Sequence, residues 1–332
     1  MTQVSRRELL GAAALAAAAP DASKTRSYNP DMEYRRLGRT GLMISVVSLG
    51  GHWKKIPFAR NSSEFKANRR QVIYACLERG INYVDACSGD EVAVYAEALG
   101  DRRKEIYFGF DWTLGRKPEI AGSVERLKQG LDEGLKKSGL DHVDIWRITM
   151  REQTTNHAPG EIENIMEALA WGKKSGKARH TGVSTHHRPW IAAAVAKYPQ
   201  MEVVITPYSA GSKAKPVSSM FDAFRKHDVG FIGIKPFASG TLFASNGVPD
   251  SPTKQDDDQR ARLALRHALA CDVLTASIPG LITVDQAKNA AAAVRERRQM
   301  DMAEAGRHRE SVARMWRNLP AHYQWLKAWQ WV

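Results

Sequence analysis

From about residue 33 onward, short β-branched runs alternate with amphipathic stretches. "SVVSLGG" (45–51), "INYVDA" (81–86), "EIYFGFDW" (105–112) and "HVDIWRITM" (142–150) read as strands, and so do "ARHTGVST" (178–185), "EVVITPYS" (202–209), "VGFIGIKPF" (229–237) and "DVLTASIPG" (272–280). Between them, "VERLKQGLDEGLKKSG" (124–139) and "IENIMEALAWGKKSG" (162–176) carry apolar residues at helical spacing. Upstream, "MEYRRLGRTGLMIS" has turn signals at Gly38 and Gly41 and predicts a β-hairpin. Eight strands alternating with helices predict an α/β fold, a (β/α)8 TIM barrel over residues 33–300, rather than a doubly wound sheet. No GxGxxG follows the first strand, which also argues against a Rossmann domain. Residues 301–332 predict a helical extension packed on the barrel, with the tryptophans of "YQWLKAWQWV" as core.

Composition adds little to this picture. The 332 residues are 43% hydrophobic and 26% charged, ordinary for a chain that buries a full core. The net charge of +13 is spread over helices in which Lys and Arg alternate with Glu, so it predicts solvated faces and no nucleic-acid footprint. Such a balance still favours anionic ligands, cofactor phosphates or acidic sugars among them. Cys76, Cys87 and Cys271 lie far apart without metal-ligand spacing, and burial as small apolar residues is the expectation for all three.

The N-terminus changes the picture more. Arg6 and Arg7 follow Ser5, then Leu9 and Leu10, then an uncharged Ala-rich run to Pro20. That is the order of an export signal, too short for a membrane span, and it resembles a bacterial twin-arginine (Tat) signal over residues 1–22. The expectation is export by the Tat machinery to the periplasm or cell envelope, with no transmembrane segment in the mature chain. Cleavage near Ala22 removes Arg6, Arg7, Glu8 and Asp21 together and leaves the formal charge unchanged.

"YRRLGRTGLMISVVSLGG", "GINYVDA", "GLDHVDIWRI", "SGKARHTGVST", "VGFIGIKPFASGTL" and "SIPGLITVDQAKN" stand in the order of the landmarks of aldo-keto reductases, which the chain resembles over about residues 33–295. The resemblance implies a barrel and hydride transfer between NADP (or NAD) and a small carbonyl or sugar-like alcohol. It also implies a tetrad: a Tyr acid tuned by a Lys–Asp pair, with a His orienting the carbonyl. The Asp is present as Asp85. Where the Tyr, Lys and His are expected stand Asp90, Asp111 and Thr149. Tyr95 falls within the following helix, where a packing role is expected.

Strand alternation puts Asp85, Asp111, Arg147 and Thr149 at inward positions near the barrel mouth. Two carboxylates side by side need a cation or a proton between them, and Arg147 is expected to supply the cation. An Arg holds an oxygen but gives up no proton, so the expected donors are water, Asp111 or His186. A cation held by Asp85, Asp90, Glu91 and Asp111 is the minority expectation, and no metal is assigned. His52 and His187 are further mouth residues.

On the cofactor side, the resemblance implies Ser184 and Thr185 beside the carboxamide. Ile205 and Ile234 stand where a Gln and a stacking aromatic are usual. Gly50, Gly51, Phe237 and Gly240 line the expected dinucleotide path, with Lys235 as a phosphate partner. Pro279 and Gly280 precede a helix facing the adenosine phosphate, with Lys288 near the 2′-phosphate. The expected function is an NAD(P)(H)-linked oxidoreductase with non-standard catalytic residues. The alternative is an inactive barrel that binds a small anionic or sugar-like molecule.

Overall fold

The computed structural model of the protein describes residues 20–51, 55–112, 117–151, 154–213 and 220–331. The proposed signal up to residue 19 and His52 lie outside the described residues.

A two-stranded hairpin, β1 (Tyr34–Arg36) and β2 (Met43–Ser45), precedes eight parallel strands. These are β3 (Leu49–Gly50), β4 (Tyr83–Ala86), β5 (Tyr107–Trp112), β6 (Val143–Thr149), β7 (Ala178–Ser184), β8 (Val203–Pro207), β9 (Gly230–Ile234) and β10 (Ala276–Ile278). Each lies within a run expected from the sequence and pairs with its neighbours in chain order. The sheet closes where Ser277 bridges Val47, with Ser277 N–H donating to the Val46 carbonyl at 2.8 Å and Ser48 N–H to that of Ser277 at 3.0 Å. The fold is the (β/α)8 barrel that the alternation predicts.

Helices α1 (Ser63–Glu78), α2 (Gly89–Leu99), α3 (Pro118–Ala121), α4 (Val124–Ser138), α5 (Glu161–Lys174), α6 (Arg188–Lys197), α7 (Met220–His227), α8 (Lys254–Leu269) and α9 (Val284–Arg295) surround it. In α4 the buried face is Leu127, Leu131 and Leu135, one residue per turn. Ser123 accepts from the Arg126 amide at its start, and Gly139 ends it in the left-handed region.

Inside the barrel, Tyr83, Ile145, Val203, Ile205, Ile232, Ala276 and Ile278 form one cluster with Leu37 and Ile44 of the hairpin, which plugs the strands' N-terminal end. Two glycines make this packing possible. A Cβ at Gly109 would lie 2.1 Å from Tyr83 Oη, and one at Gly38 (φ +48°) would lie 2.2 Å from the Gly230 nitrogen. The same end is tied down from upstream of residue 33. Thr25 Oγ1 donates to the Met43 carbonyl (2.5 Å), and Arg26 donates to the Ile106 carbonyl (2.6 Å) and to the buried Asp144 (3.0 Å).

After the barrel comes α10 (Met302–Arg317), opened by a reciprocal Asp301–Glu304 capping box, and then a 3-10 turn series, Ala321–Trp331. Met315, Leu319 and Leu326 pack on Ala210, Ala238 and Leu242 at the mouth side of β8 and β9. Trp325, half-buried, packs against the same cluster and also stacks on His186 at the mouth, with ring centroids 4.3 Å apart.

Candidate active site

The strands' C-terminal ends open into a cavity of about 350 Å³. At its floor, the register sets Asp111 beside Arg147 and Thr149 beside Ser184. Arg147 Nε donates to Asp85 Oδ1 at 2.9 Å and Nη2 to Asp85 Oδ2 at 2.5 Å, while Nη1 lies 3.0 Å from Asp111 Oδ2. Thr149 Oγ1 donates to the same Asp111 oxygen. All four residues are buried. The cation that the paired carboxylates require is therefore Arg147, on the strand expected to carry it. Burial disfavours its charge, but Asp111 and Asp85 outweigh that and hold the guanidinium well above its ordinary pKa. Its remaining donors reach weak acceptors, Thr149 Oγ1 at 3.3 Å and Cys87 Sγ at 3.7 Å. A ligand oxygen could replace either.

The four-carboxylate metal set is not assembled. Asp90 is exposed and pairs with Lys137 on α4, and Glu91 accepts from the Cys87 amide at 2.6 Å. Tyr95 is fully buried and donates to the Gly50 carbonyl at 2.6 Å, so it packs α2 against the barrel. His187 turns to Thr154, with Nδ1 2.5 Å from Oγ1, and is not part of the cavity wall.

The sequence predicts burial for Cys87, as for Cys76 and Cys271. Cys87 stands half-buried on the cavity wall, 3.8 Å from Asp85. Burial and Asp85 push its thiol well up, so it stays protonated at neutral pH. No local pattern signals this, because Cys87 lies past the strand end, where alternation stops.

His186 and Lys235 come together on the opposite wall, Nζ 3.4 Å from Nε2. The Lys235 ammonium also lies 5.8 Å from the ring centroids of both Tyr323 and Trp325. Lys235 thus turns toward His186 beneath the C-terminal tail. A different lysine, Lys55, stands at the glycine turn after β9: a Cβ on Gly240 would come within 3.1 Å of its Nζ. Burial lowers the pKa of Lys55.

Of the expected cofactor residues, Gly50, Gly51, Ser184, Lys235, Phe237, Gly240 and Gly280 line the cavity, as does Ile234. Thr185, Pro279 and Lys288 do not. Thr185 points away from Ser184 by strand alternation, and its amide donates to the Ile205 carbonyl at 3.1 Å. The Pro279 carbonyl accepts from Gly50 N–H at 3.2 Å, in the barrel seam. Lys288 is exposed, 3.7 Å from Asp285. On α9 it is Gln286, Asn289 and Ala290 that face the cavity, and Lys288 falls between them on the outer side.

The far end of the cavity fits a dinucleotide's phosphates. It offers the N-terminus of α9, capped by Thr283, with Gly280 open to space before it and the ammonium groups of Lys55 and Lys254 on the wall. Asp257 and Asp258 are there too. The first accepts from the Ala244 and Ser245 amides and Arg260, and the second pairs with Lys254.

Residues 47–261 match the aldo/keto reductase family, and the chain belongs to it. Members of this family generally use NAD(P)H. L-Glyceraldehyde 3-phosphate reductase of Escherichia coli K12 is 24% identical over 254 residues, 70% of this chain and 69% of that protein. L-Galactose dehydrogenase of Arabidopsis thaliana is 23% identical over 295 residues, covering 82% and 91%. Among solved structures, the holo form of aldo-keto reductase AKR11C1 from Bacillus halodurans superposes with a TM-score of 0.63 at 21% identity, covering 84% of this chain and 96% of that one. Among the described residues, no helix is long and apolar enough to cross a membrane.

Proposed function

We propose that this chain is an NAD(P)(H)-linked oxidoreductase acting on a small carbonyl or sugar-like alcohol, with the acid, tuning and orienting residues of its family replaced. The observation that carries the reading is one continuous cavity. It joins the Arg147–Asp85–Asp111 floor to a phosphate-type end at Gly240, Gly280 and the start of α9. The names of the similar proteins, a glyceraldehyde 3-phosphate reductase and a galactose dehydrogenase, support a small oxygenated substrate.

A bound nicotinamide dinucleotide supplies or accepts the hydride. Lys55, Lys254 and the α9 N-terminus would hold its phosphates, and Ser184 its carboxamide. Arg147 would take a substrate oxygen with the donors now turned to Thr149 and Cys87, and so polarise the carbonyl. Asp111 is poorly suited to be the acid. It accepts from Thr149 and pairs with Arg147, the surroundings of an ionised carboxylate. That points the search for a proton to the His186 corner.

One observation favours the second reading, a barrel that binds without catalysis: Asp90, at the family's acid position, faces solvent and is tied to Lys137. Nucleotide retention tests the first step. Protein purified without added cofactor and then denatured by heat should release NADP(H) or NAD(H). A chain that neither retains these nucleotides nor binds them at millimolar concentration would be the non-catalytic barrel. Export by the Tat route, to the periplasm or cell envelope, is part of this proposal and rests on "SRRELLGAAALAAAAP". Cleavage near Ala22 would leave Thr25 and Arg26 in place at the N-terminal end of the barrel.

A further inference from the structure

Reduction of a carbonyl leaves an oxygen that must gain a proton as the hydride reaches its carbon. Three groups on the cavity floor and wall are unsuited to give one. Arg147 cannot, Thr149 donates to Asp111, and the Cys87 thiol is held strongly to its proton by burial and Asp85.

Lys235 differs in three respects. Its backbone lies at φ +60°, the left-handed region that a residue with a Cβ adopts at a cost, at the turn leaving β9. That turn sends the side chain to the wall, where Nζ meets His186 Nε2 at 3.4 Å. The faces of Tyr323 and Trp325 flank the ammonium at 5.8 Å, and Trp325 stacked on His186 fixes the imidazole plane. Three separate parts of the chain, the ends of β7 and β9 and the C-terminal tail, thus converge to hold one ammonium at the mouth.

We infer that Lys235 is the general acid of the proposed reduction and that His186 is the residue that positions it. An ammonium, like a phenol, carries a proton that it can pass to an oxygen gaining negative charge. With Lys235 protonated, Nε2 of His186 accepts and the ring's own proton resides on Nδ1. One of the two remaining Nζ protons passes to the substrate oxygen as that oxygen takes the carbonyl electron pair. The hydride comes from a reduced nicotinamide dinucleotide. Lys235 is left as a neutral amine and recovers its proton from solvent. In the oxidative direction the same amine takes the alcohol proton.

The assignment rests on the oxidoreductase reading, and the test separates the two. Lys235→Arg keeps the cation and removes the transferable proton, while Lys235→Met removes both. NADPH oxidation would be followed with a panel of short aldehydes that includes glyceraldehyde, and NADPH affinity by quenching of tryptophan fluorescence. Both variants should lose about a hundredfold or more in kcat and keep the NADPH Kd within about threefold. The fall of kcat/KM at high pH should disappear in both and shift in His186→Asn. Activity restored by Arg would make Lys235 a simple cation, and a Kd weakened tenfold or more in Lys235→Met would make it a phosphate partner; either overturns the assignment alone. A wild type that binds NADPH and reduces nothing overturns the oxidoreductase reading, and this assignment with it.

Discussion

Arg147 grips both oxygens of Asp85, through Nε at 2.9 Å and Nη2 at 2.5 Å, across two strands of a buried barrel floor. Because Asp111 is held by the same guanidinium, Arg147→Met would strand two buried carboxylates. The expected cost is about 3–5 kcal/mol, measured by urea unfolding at neutral pH. Replacing all three together (Asp85→Leu, Asp111→Leu, Arg147→Met) should cost less than Arg147→Met alone, since no orphan charge remains. A single variant as stable as wild type would remove the ion pair from the account.

The lysines at the cavity's far end separate in a binding experiment. Lys55 lies at the Gly240 turn, whereas Lys288 points to solvent beside Asp285. A charge-assisted phosphate contact is worth about 1.5–3 kcal/mol, so Lys55→Ala should raise the NADPH Kd by about tenfold or more. Lys288→Ala should change it by less than about fivefold, because an exposed contact contributes about 0–1 kcal/mol. Equal effects would mean the phosphates lie elsewhere.

How far the sequence revealed this site follows from where its periodicities hold. Strand alternation is strict, so Asp85, Asp111, Arg147 and Thr149 could be placed inward and their pairing foreseen. The same rule shows why Ser184 faces the cavity and Thr185 does not. Helical period, applied from Thr283, would have selected Gln286 and Asn289 over Lys288. Beyond the strand ends no period applies. Lys55 and Cys87 sit in loops, Lys235 is aimed by a left-handed turn, and Trp325 arrives from a tail distant in sequence. Those contacts are tertiary and leave no local pattern.

Acid should loosen the tail that roofs the site. His308 on α10 is buried against His267, with ring centroids 4.8 Å apart, and its Nε2 lies 3.0 Å from the Ala210 carbonyl. Burial first, then His267, lower its pKa from 6.5 to about 4, against the opposing pull of that carbonyl. The unfolded chain therefore binds the proton more readily. His308's contribution is complete above about pH 6.5 and lost as pH falls toward 4, at most about 3 kcal/mol. Unfolding followed across that window should show stability falling with acid in the wild type and a flatter profile in His308→Gln. Parallel profiles would contradict this.

The proposed twin-arginine leader makes a prediction of its own. Arg6→Lys together with Arg7→Lys should leave the protein in the cytoplasm with its leader uncleaved, read by fractionation and mass spectrometry. Normal accumulation of the double variant in the envelope would end the twin-arginine reading.

The central claim is that this cavity still moves a hydride although Arg147, Asp111 and Thr149 occupy its floor. The most direct measurement uses NADPH carrying deuterium at the transferable C4 position, incubated in a single turnover with the purified protein and the aldehyde panel. The account predicts deuterium on the carbinol carbon of a reduced product, in equal amount to the NADP formed. NADPH that binds and remains deuterated, with no labelled alcohol from any aldehyde, would contradict it.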